Sequence, residues 1–312
     1  MNLPVPSFVK KIARAVGLRR PRGVDPKSPP PPENAQYWAD VNVTSHARFA
    51  SAADSLAAFH DRNSLYYPYL DLMPVAGQDG KAVLDYGCGP GTDLVGFAVY
   101  SKPRRLIGMD ISLRSLAEAR ERLALHCERV EFSPIVEGDG RLPLEDGSID
   151  YVHSSGVIHH AVDPAKVLRE FRRILSRSGR CRIMVYNYDS VWLHLAVAYL
   201  NMHVAKIYAD LDVRAAFSKL TDGADCPIAR VYKPNEFISL AQACGFECRF
   251  LGAAVSMTEA GFMPRRFDAL SDFAFPREHR DFLSALTLDS RGLPLYHDTY
   301  AGVDACYELT PV

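Results

Sequence analysis

The densest run of chemically pointed residues is Val83-Leu84-Asp85-Tyr86-Gly87-Cys88-Gly89-Pro90-Gly91-Thr92. An apolar stretch ends in a carboxylate, and a glycine-rich turn then opens a helical pattern. Glycine serves such a turn twice over. It reaches backbone angles closed to other residues, and without a side chain it lets a ligand approach the main chain. A dinucleotide fingerprint requires G-x-G-x-x-G. Here Gly87, Gly89 and Gly91 recur at every second position and Thr92 follows, which argues against a nicotinamide-dependent oxidoreductase. A second group is His159-His160, ahead of the pattern VLREFRRIL. One ring of this pair can cap or pack while the other lines a site as a base. A zinc pair would want wider spacing on a helix and a third ligand; neither is evident, so no metal is expected. Tyr186, Asn187, Tyr188 and Asp189 leave an apolar run at its carboxyl end, where open α/β sheets bind ligands. Tyr186 is thereby a candidate catalytic contact.

These residues need elements to hold them. From Lys81 onward strand and helix patterns alternate: AVLDYG, RLIGMD, a helix from Ser112 to His126, VEFSPIVEGD, SIDYVHS, a helix after Asp163, and RCRIMVYNY. That rhythm predicts a doubly wound, mostly parallel sheet. The rhythm breaks after Tyr188, where residues 190–218 read as two inserted helices. KPNEFISLAQACGF then reads as a helix closed by Gly245, leading into the strand FECRFLG. Residues 253–298 read as irregular, and the stretch Gly302–Leu309 as a final strand, antiparallel between its neighbours. Upstream, residues 35–75 read as mostly helical, with aromatic clusters at Tyr37-Trp38 and at Tyr66, Tyr67 and Tyr69.

Residues 1–34 look separate from this fold. Val5, Phe8, Val9, Ile12 and Val16 share one helical face ringed by Lys10, Lys11, Arg14, Arg19 and Arg20, and a proline-rich spacer follows. Residues 5–20 are thus a candidate for peripheral contact with an anionic membrane. The chain has 312 residues, 48% hydrophobic, with a formal net charge of -1. That is ample for one methodically layered domain over residues 35–312, and the balanced charge gives no general attraction for nucleic acid. Seven scattered cysteines without a Cys-x-x-Cys pair suit reduced thiols and a cytoplasmic location. Val191–Ala209 is apolar but carries His194, Asn201, His203 and Lys206, which speaks against a membrane span.

The glycine turn, with Asp85 at its head, resembles the first motif of class I S-adenosylmethionine-dependent methyltransferases, D-x-G-C-G-x-G. Three further features fall in the family's order: Asp110, Asp139-Gly140, and the segment Val157 to His160 before a helix. The resemblance is to the small-molecule type related to ubiquinone and menaquinone biosynthesis, over roughly residues 80–190. It implies a Rossmann-like seven-stranded sheet with an antiparallel last strand, and S-adenosyl-L-methionine as cofactor. It also implies the cofactor-binding set Asp85, Gly87, Cys88, Gly89, Gly91, Asp110, Ile111, Asp139, Gly140 and Ser155. Asp110 would take the ribose hydroxyls, and the acid at position 139 would stand beside the adenine. One departure is Ser176-Arg177-Ser178-Gly179 in place of the family's Pro-Gly-Gly turn, remote from the ligand.

The expected acceptor is a small molecule, methylated on oxygen in preference to nitrogen or carbon: a sugar, lipid-linked or natural-product intermediate. Residues 190–218 and the tyrosines near 66 are expected to roof its pocket. Polar contacts are expected from His159, His160, Tyr186, Asn187 and Tyr232. The alternative is a methyltransferase-like binding or scaffold protein without turnover, which the intact Asp85, Gly87, Gly89, Asp110 and Asp139 argue against. A nucleic-acid methyltransferase is disfavoured by the lack of an Asn-Pro-Pro-Tyr or Asp-Pro-Pro-Tyr motif or a Pro-Cys nucleophile.

Overall fold

The computed structural model describes residues 34–40, 48–127, 129–136 and 141–312. The basic arm over residues 5–20, the proline spacer, Asp139 and Gly140 lie outside the described residues.

The first described elements are helices α1 (Asn34–Asp40) and α2 (Ala52–Ser64), the two-residue strand β1 (Tyr66–Tyr67) and the single turn α3 (Tyr69–Leu72). The alternating region follows as β2 (Ala82–Tyr86), α4 (Thr92–Tyr100), β3 (Arg105–Asp110), α5 (Leu113–Leu123), β4 (Val130–Pro134), β5 (Ile149–Ser155), α6 (Pro164–Ile174) and β6 (Leu175–Tyr186). All five residues of β2 are buried, as a strand covered on both faces requires. Helix starts follow side-chain capping. Ser112 accepts from the Ser115 N–H at the head of α5, and Asp163 accepts from the Lys166 N–H at the head of α6, each satisfying a donor with no partner inside the helix.

The sheet order is β1-β7-β11-β6-β5-β2-β3-β4, where β7 is Phe246–Ser256 and β11 is Asp304–Pro311. Strands β2 to β6 pair in parallel, and β11 lies antiparallel between β6 and β7. The expected seven strands and inverted last strand are therefore present, with β1 added at the edge through Tyr66 and Tyr67 against Ser256 and Val255. The chain runs outward from β2 through β3 to β4, then returns to β5 on the other side of β2. This reversal opens a crevice at the carboxyl ends of β2 and β5.

The insertion after β6 is a helix with wide, π-type winding (Trp192–Val204) followed by α7 (Val213–Thr221). Leu193 to Leu200 are all buried in the first of these, so it is a core element apolar all round, as its composition demands. Among the described residues no helix is long and apolar enough to cross a membrane.

The expectation of irregular chain over 253–298 is wrong. After α8 (Pro234–Ala243), strand β7 runs on to Ser256 and three helices follow: α9 (Met257–Phe262), α10 (Arg266–Ser271) and α11 (Arg277–Ala285). A small antiparallel sheet of β8 (Thr287–Leu288), β9 (Pro294–Tyr296) and β10 (Thr299–Tyr300) closes the region. Local capping explains the first of these helices. Ser256 and Glu259 cap one another reciprocally, and Glu259 also accepts from the Trp192 N–H at 3.2 Å. Phe262, Ala269, Phe282 and Leu283 then pack with Leu195 and Tyr199 as one apolar cluster.

Candidate active site

A cavity of about 890 Å³ opens at the carboxyl ends of the parallel strands. One end is built by the glycine turn. Gly87, Gly89 and Gly91 have φ of 78°, 52° and 81°, in the left-handed region that costs other residues about 1–2 kcal/mol. A Cβ on Gly87 would stand 2.2 Å from Val157 Cγ2. Gly87 and Gly89 line the cavity, but Gly91 does not: it ends at the head of α4, where a Cβ would meet Leu123 at 2.8 Å. Its left-handed φ and its close packing on α5 both call for glycine.

Asp110 ends β3 with both oxygens oriented by main chain. Oδ2 accepts from the Gly89 N–H and Oδ1 from the Ser112 N–H, each at 2.8 Å. A carboxylate offers about four acceptor positions, so each oxygen keeps one for a ligand. Burial raises the Asp110 pKa, opposed by those N–H groups. Ile111 and Cys88 line the cavity beside it. Asp85 is fully enclosed, and its Oδ2 has no hydrogen-bond partner among the described residues. Burial pushes its pKa up to about 7, against the pull of His153. Ser155 lines the cavity and its Oγ accepts from Tyr69 O–H at 2.6 Å. Tyr69 packs beneath Arg62, which pairs with Asp93 at 3.3 Å. Burial works against the Asp93 charge, yet Arg62, His153 and Tyr69 together hold its pKa below the carboxylate range.

The other end of the cavity is aromatic and acidic. Trp38, Tyr66, Tyr186 and Trp192 line it with His160, Asp222 and Asp304. Asp304 arrives through the sheet register. Antiparallel β11 begins opposite Tyr186 and Ala254, at the carboxyl end of its parallel neighbours. Burial raises its pKa to about 7. Tyr186 O–H donates to Asp222 Oδ1 at 2.8 Å. His160 Nδ1 lies 2.6 Å from the Ile228 carbonyl; a carbonyl only accepts, so the proton sits on Nδ1 and Nε2 carries a lone pair.

The two histidines separate here. His159 is wholly buried and outside the cavity lining. Its Nδ1 accepts from the Tyr186 N–H at 3.3 Å and its ring stacks on Tyr186 at 3.8 Å. Burial, with His160 and Arg230 nearby, drives its pKa well below the usual histidine value. His159 thus packs behind the wall of the cavity, and His160 is the one of the pair that lines it. Asn187, Tyr188, Asp189 and Tyr232 also lie outside the lining. The Asn187 amide bonds the carbonyls of Asp189 and Gly302, and Tyr188 O–H donates to Glu278. Of residues 190–218 only Trp192 lines the cavity; Thr221 and Asp222, just beyond, also do. The roof is thus the two edges of the insertion, and its middle is core.

Residues 84–183 match the family described as a methyltransferase domain. These residues form a methyltransferase domain, whose cofactor is S-adenosyl-L-methionine. An uncharacterized 37.1 kDa protein in transposon TN4556 of Streptomyces fradiae is 37% identical over 163 residues, covering 51% of this chain and 44% of that protein. The arsenite methyltransferase of Aquipseudomonas alcaligenes is 34% identical over 131 residues, covering 40% of this chain and 38% of that protein. The chain thus spans less than half the length of these two curated relatives. Among solved structures, the complex between the Haloferax volcanii Trm112 methyltransferase activator and a methyltransferase gives a TM-score of 0.49 at 20% identity, covering 84% of this chain and 94% of that one.

For a methyltransferase domain the cavity has the right chemistry. Its cofactor carries a sulfonium, an ammonium and a ribose diol. The orphaned Asp85 oxygen, the spare lone pairs of Asp110 and the glycine surface at 87 and 89 are groups that such a molecule would satisfy.

Proposed function

We propose that this chain transfers the methyl group of S-adenosyl-L-methionine to an oxygen of a small-molecule acceptor held at the aromatic end of the cavity. The observation that carries the reading is one continuous cavity joining the Asp85–Asp110 end to the Trp38–Tyr186–Trp192 end. Asp110 takes the ribose hydroxyls, Gly87 and Gly89 admit the cofactor against the main chain, and Ile111 packs on the adenine. Cys88 and Ser155 complete the wall. Asp85 faces the cationic portion. When bound, the cofactor supplies a methyl group on a positively charged sulfur, so the leaving group needs no activation.

What remains for the protein is alignment and the exclusion of water, which together supply roughly 7–11 kcal/mol of a barrier. Trp38, Tyr66, Tyr186 and Trp192 offer flat apolar surface for the acceptor. His160, Tyr186 and Asp222 form the polar edge where an acceptor hydroxyl gives up its proton. The low-molecular-weight fraction of a cell extract, incubated with methyl-labelled cofactor and the purified chain, should yield a labelled small molecule and S-adenosylhomocysteine. Cofactor binding without any labelled product from extract, at full folding, would favour a scaffold role and refute this proposal.

A further inference from the structure

Beside the acceptor end, residues distant in sequence converge on one point. A ring nitrogen of His160, a carboxylate oxygen of Asp222 and Cys226 Sγ all lie within 4.8 Å of one another. His160 sits on the turn after β5, and Asp222 and Cys226 on the loop after α7. The pair of histidines alone offered no third ligand; the fold brings two more groups to one of them.

Each donor atom is aimed by a neighbour. The Ile228 carbonyl accepts from His160 Nδ1–H at 2.6 Å, which leaves the Nε2 lone pair facing inward. The same carbonyl lies 3.4 Å from Cys226 Sγ. Tyr186 O–H holds Asp222 Oδ1, and Tyr37 O–H donates to the Asp222 main-chain carbonyl at 2.6 Å. Trp38 packs on the His160 ring at 4.5 Å. Metal-binding histidines are commonly oriented this way, the second ring nitrogen donating to a carbonyl.

The decisive feature is Asp222 Oδ2. Its side chain is 8% exposed, and among the described residues the atom has no hydrogen-bond partner. It faces the His160 Nε2 lone pair at 3.8 Å. Two acceptors so placed repel, and the separation is too long for one shared proton, which needs about 2.7–3.2 Å. It suits two ligands of one cation. Bond lengths of about 2.0–2.3 Å at tetrahedral angles put ligand atoms roughly 3.3–3.8 Å apart.

We propose that His160, Asp222 and Cys226 form a binding site for a divalent metal of the zinc class, with its fourth position open to the acceptor end of the cavity. Nitrogen, carboxylate and thiolate together select zinc over magnesium or calcium, which take oxygen ligands. On binding, the Cys226 S–H bond breaks, its proton goes to solvent, and a metal–sulfur bond forms. His160 and Asp222 line the cavity, so an acceptor hydroxyl there would reach the open position. That last use rests on the methyl-transfer reading; the metal site itself does not.

The full chain, stripped with chelator, is titrated with Co2+ in place of zinc. One equivalent should give tetrahedral visible bands and a near-ultraviolet thiolate-to-cobalt band, both erased by Zn2+. Cys226→Ala should remove the thiolate band, and Asp222→Asn should weaken Co2+ binding by about ten- to a hundred-fold, both with cofactor affinity retained. No thiolate band in the folded wild type, a band that survives Cys226→Ala, or unchanged affinity in a folded Asp222→Asn would overturn the site. Because cobalt spectra are read without turnover, their failure leaves the labelled-methyl assay untouched, and the converse holds.

Discussion

Replacing Asp110 by Ala probes the cofactor end at its most constrained group. Two effects follow and they can be separated. The first is affinity. A hydrogen bond to a charged acceptor contributes about 1.5–3 kcal/mol, and the ribose offers two hydroxyls, but water competes at a partly open carboxylate. A net loss of about 1.4–2.7 kcal/mol is expected, or roughly ten- to a hundred-fold in Kd. The second is stability. The Gly89 and Ser112 N–H groups, each now 2.8 Å from an Asp110 oxygen, lose their acceptor. Where water replaces it only in part, each costs about 1 kcal/mol, and the glycine turn loosens. Calorimetry with S-adenosylhomocysteine and with its 2′,3′-dideoxy analogue distinguishes the effects by a double-mutant cycle. Wild type should lose most of its preference for the diol on mutation, whereas a merely loosened turn would weaken both ligands alike. Equal losses for the two ligands, in a variant that still folds, would refute the ribose assignment.

Two other perturbations read the same architecture. Gly87→Ala combines a left-handed φ of 78° with a Cβ 2.2 Å from Val157 Cγ2. It should cost roughly 2–4 kcal/mol in urea unfolding, and Val157→Ala in the same chain should recover only the steric part. For pH, burial raises Glu259 from 4.5 to about 8, against its hydrogen bonds from Ser256. The native state then holds a proton that the unfolded chain releases, so stability is full below the unfolded value and falls as pH rises toward 8. Glu259→Gln should flatten that slope in thermal melts across the window, and an unchanged slope would count against the buried proton. Asp85, raised to about 7, predicts tighter binding of the cationic cofactor as pH rises toward neutrality.

Periodicity carried the parallel strands, because β2 to β6 are short apolar runs separated by amphipathic helices, and tertiary packing had little to override. It failed over 253–298, where helices of six to nine residues are too short to display a period. The placing of Asp85, Gly87, Gly89 and Asp110 along one cavity was readable for a related reason: they sit at strand ends whose positions follow from chain order. The acceptor end was not. Asp222 and Cys226 arrive on a loop, Asp304 through an inverted strand, and Trp38 from a helix far upstream, so no spacing announces them. The choice between His159 and His160 rested on a single turn of 3₁₀ helix. With three residues per turn, neighbours point about a third of a revolution apart, and only the packing of Tyr186 decides which ring goes inward.

Strand β11 sets an order in time. It supplies both neighbours that β6 and β7 lack, since those two strands pair with β11 and not with each other. Until residues 304–311 are made, a growing chain keeps two open strand edges, which are templates for wrong pairing. The two ends of the cavity are therefore born at different moments. The glycine turn, Asp110 and Ser155 need only β2, β3 and β5, while Val303 and Asp304 come with β11.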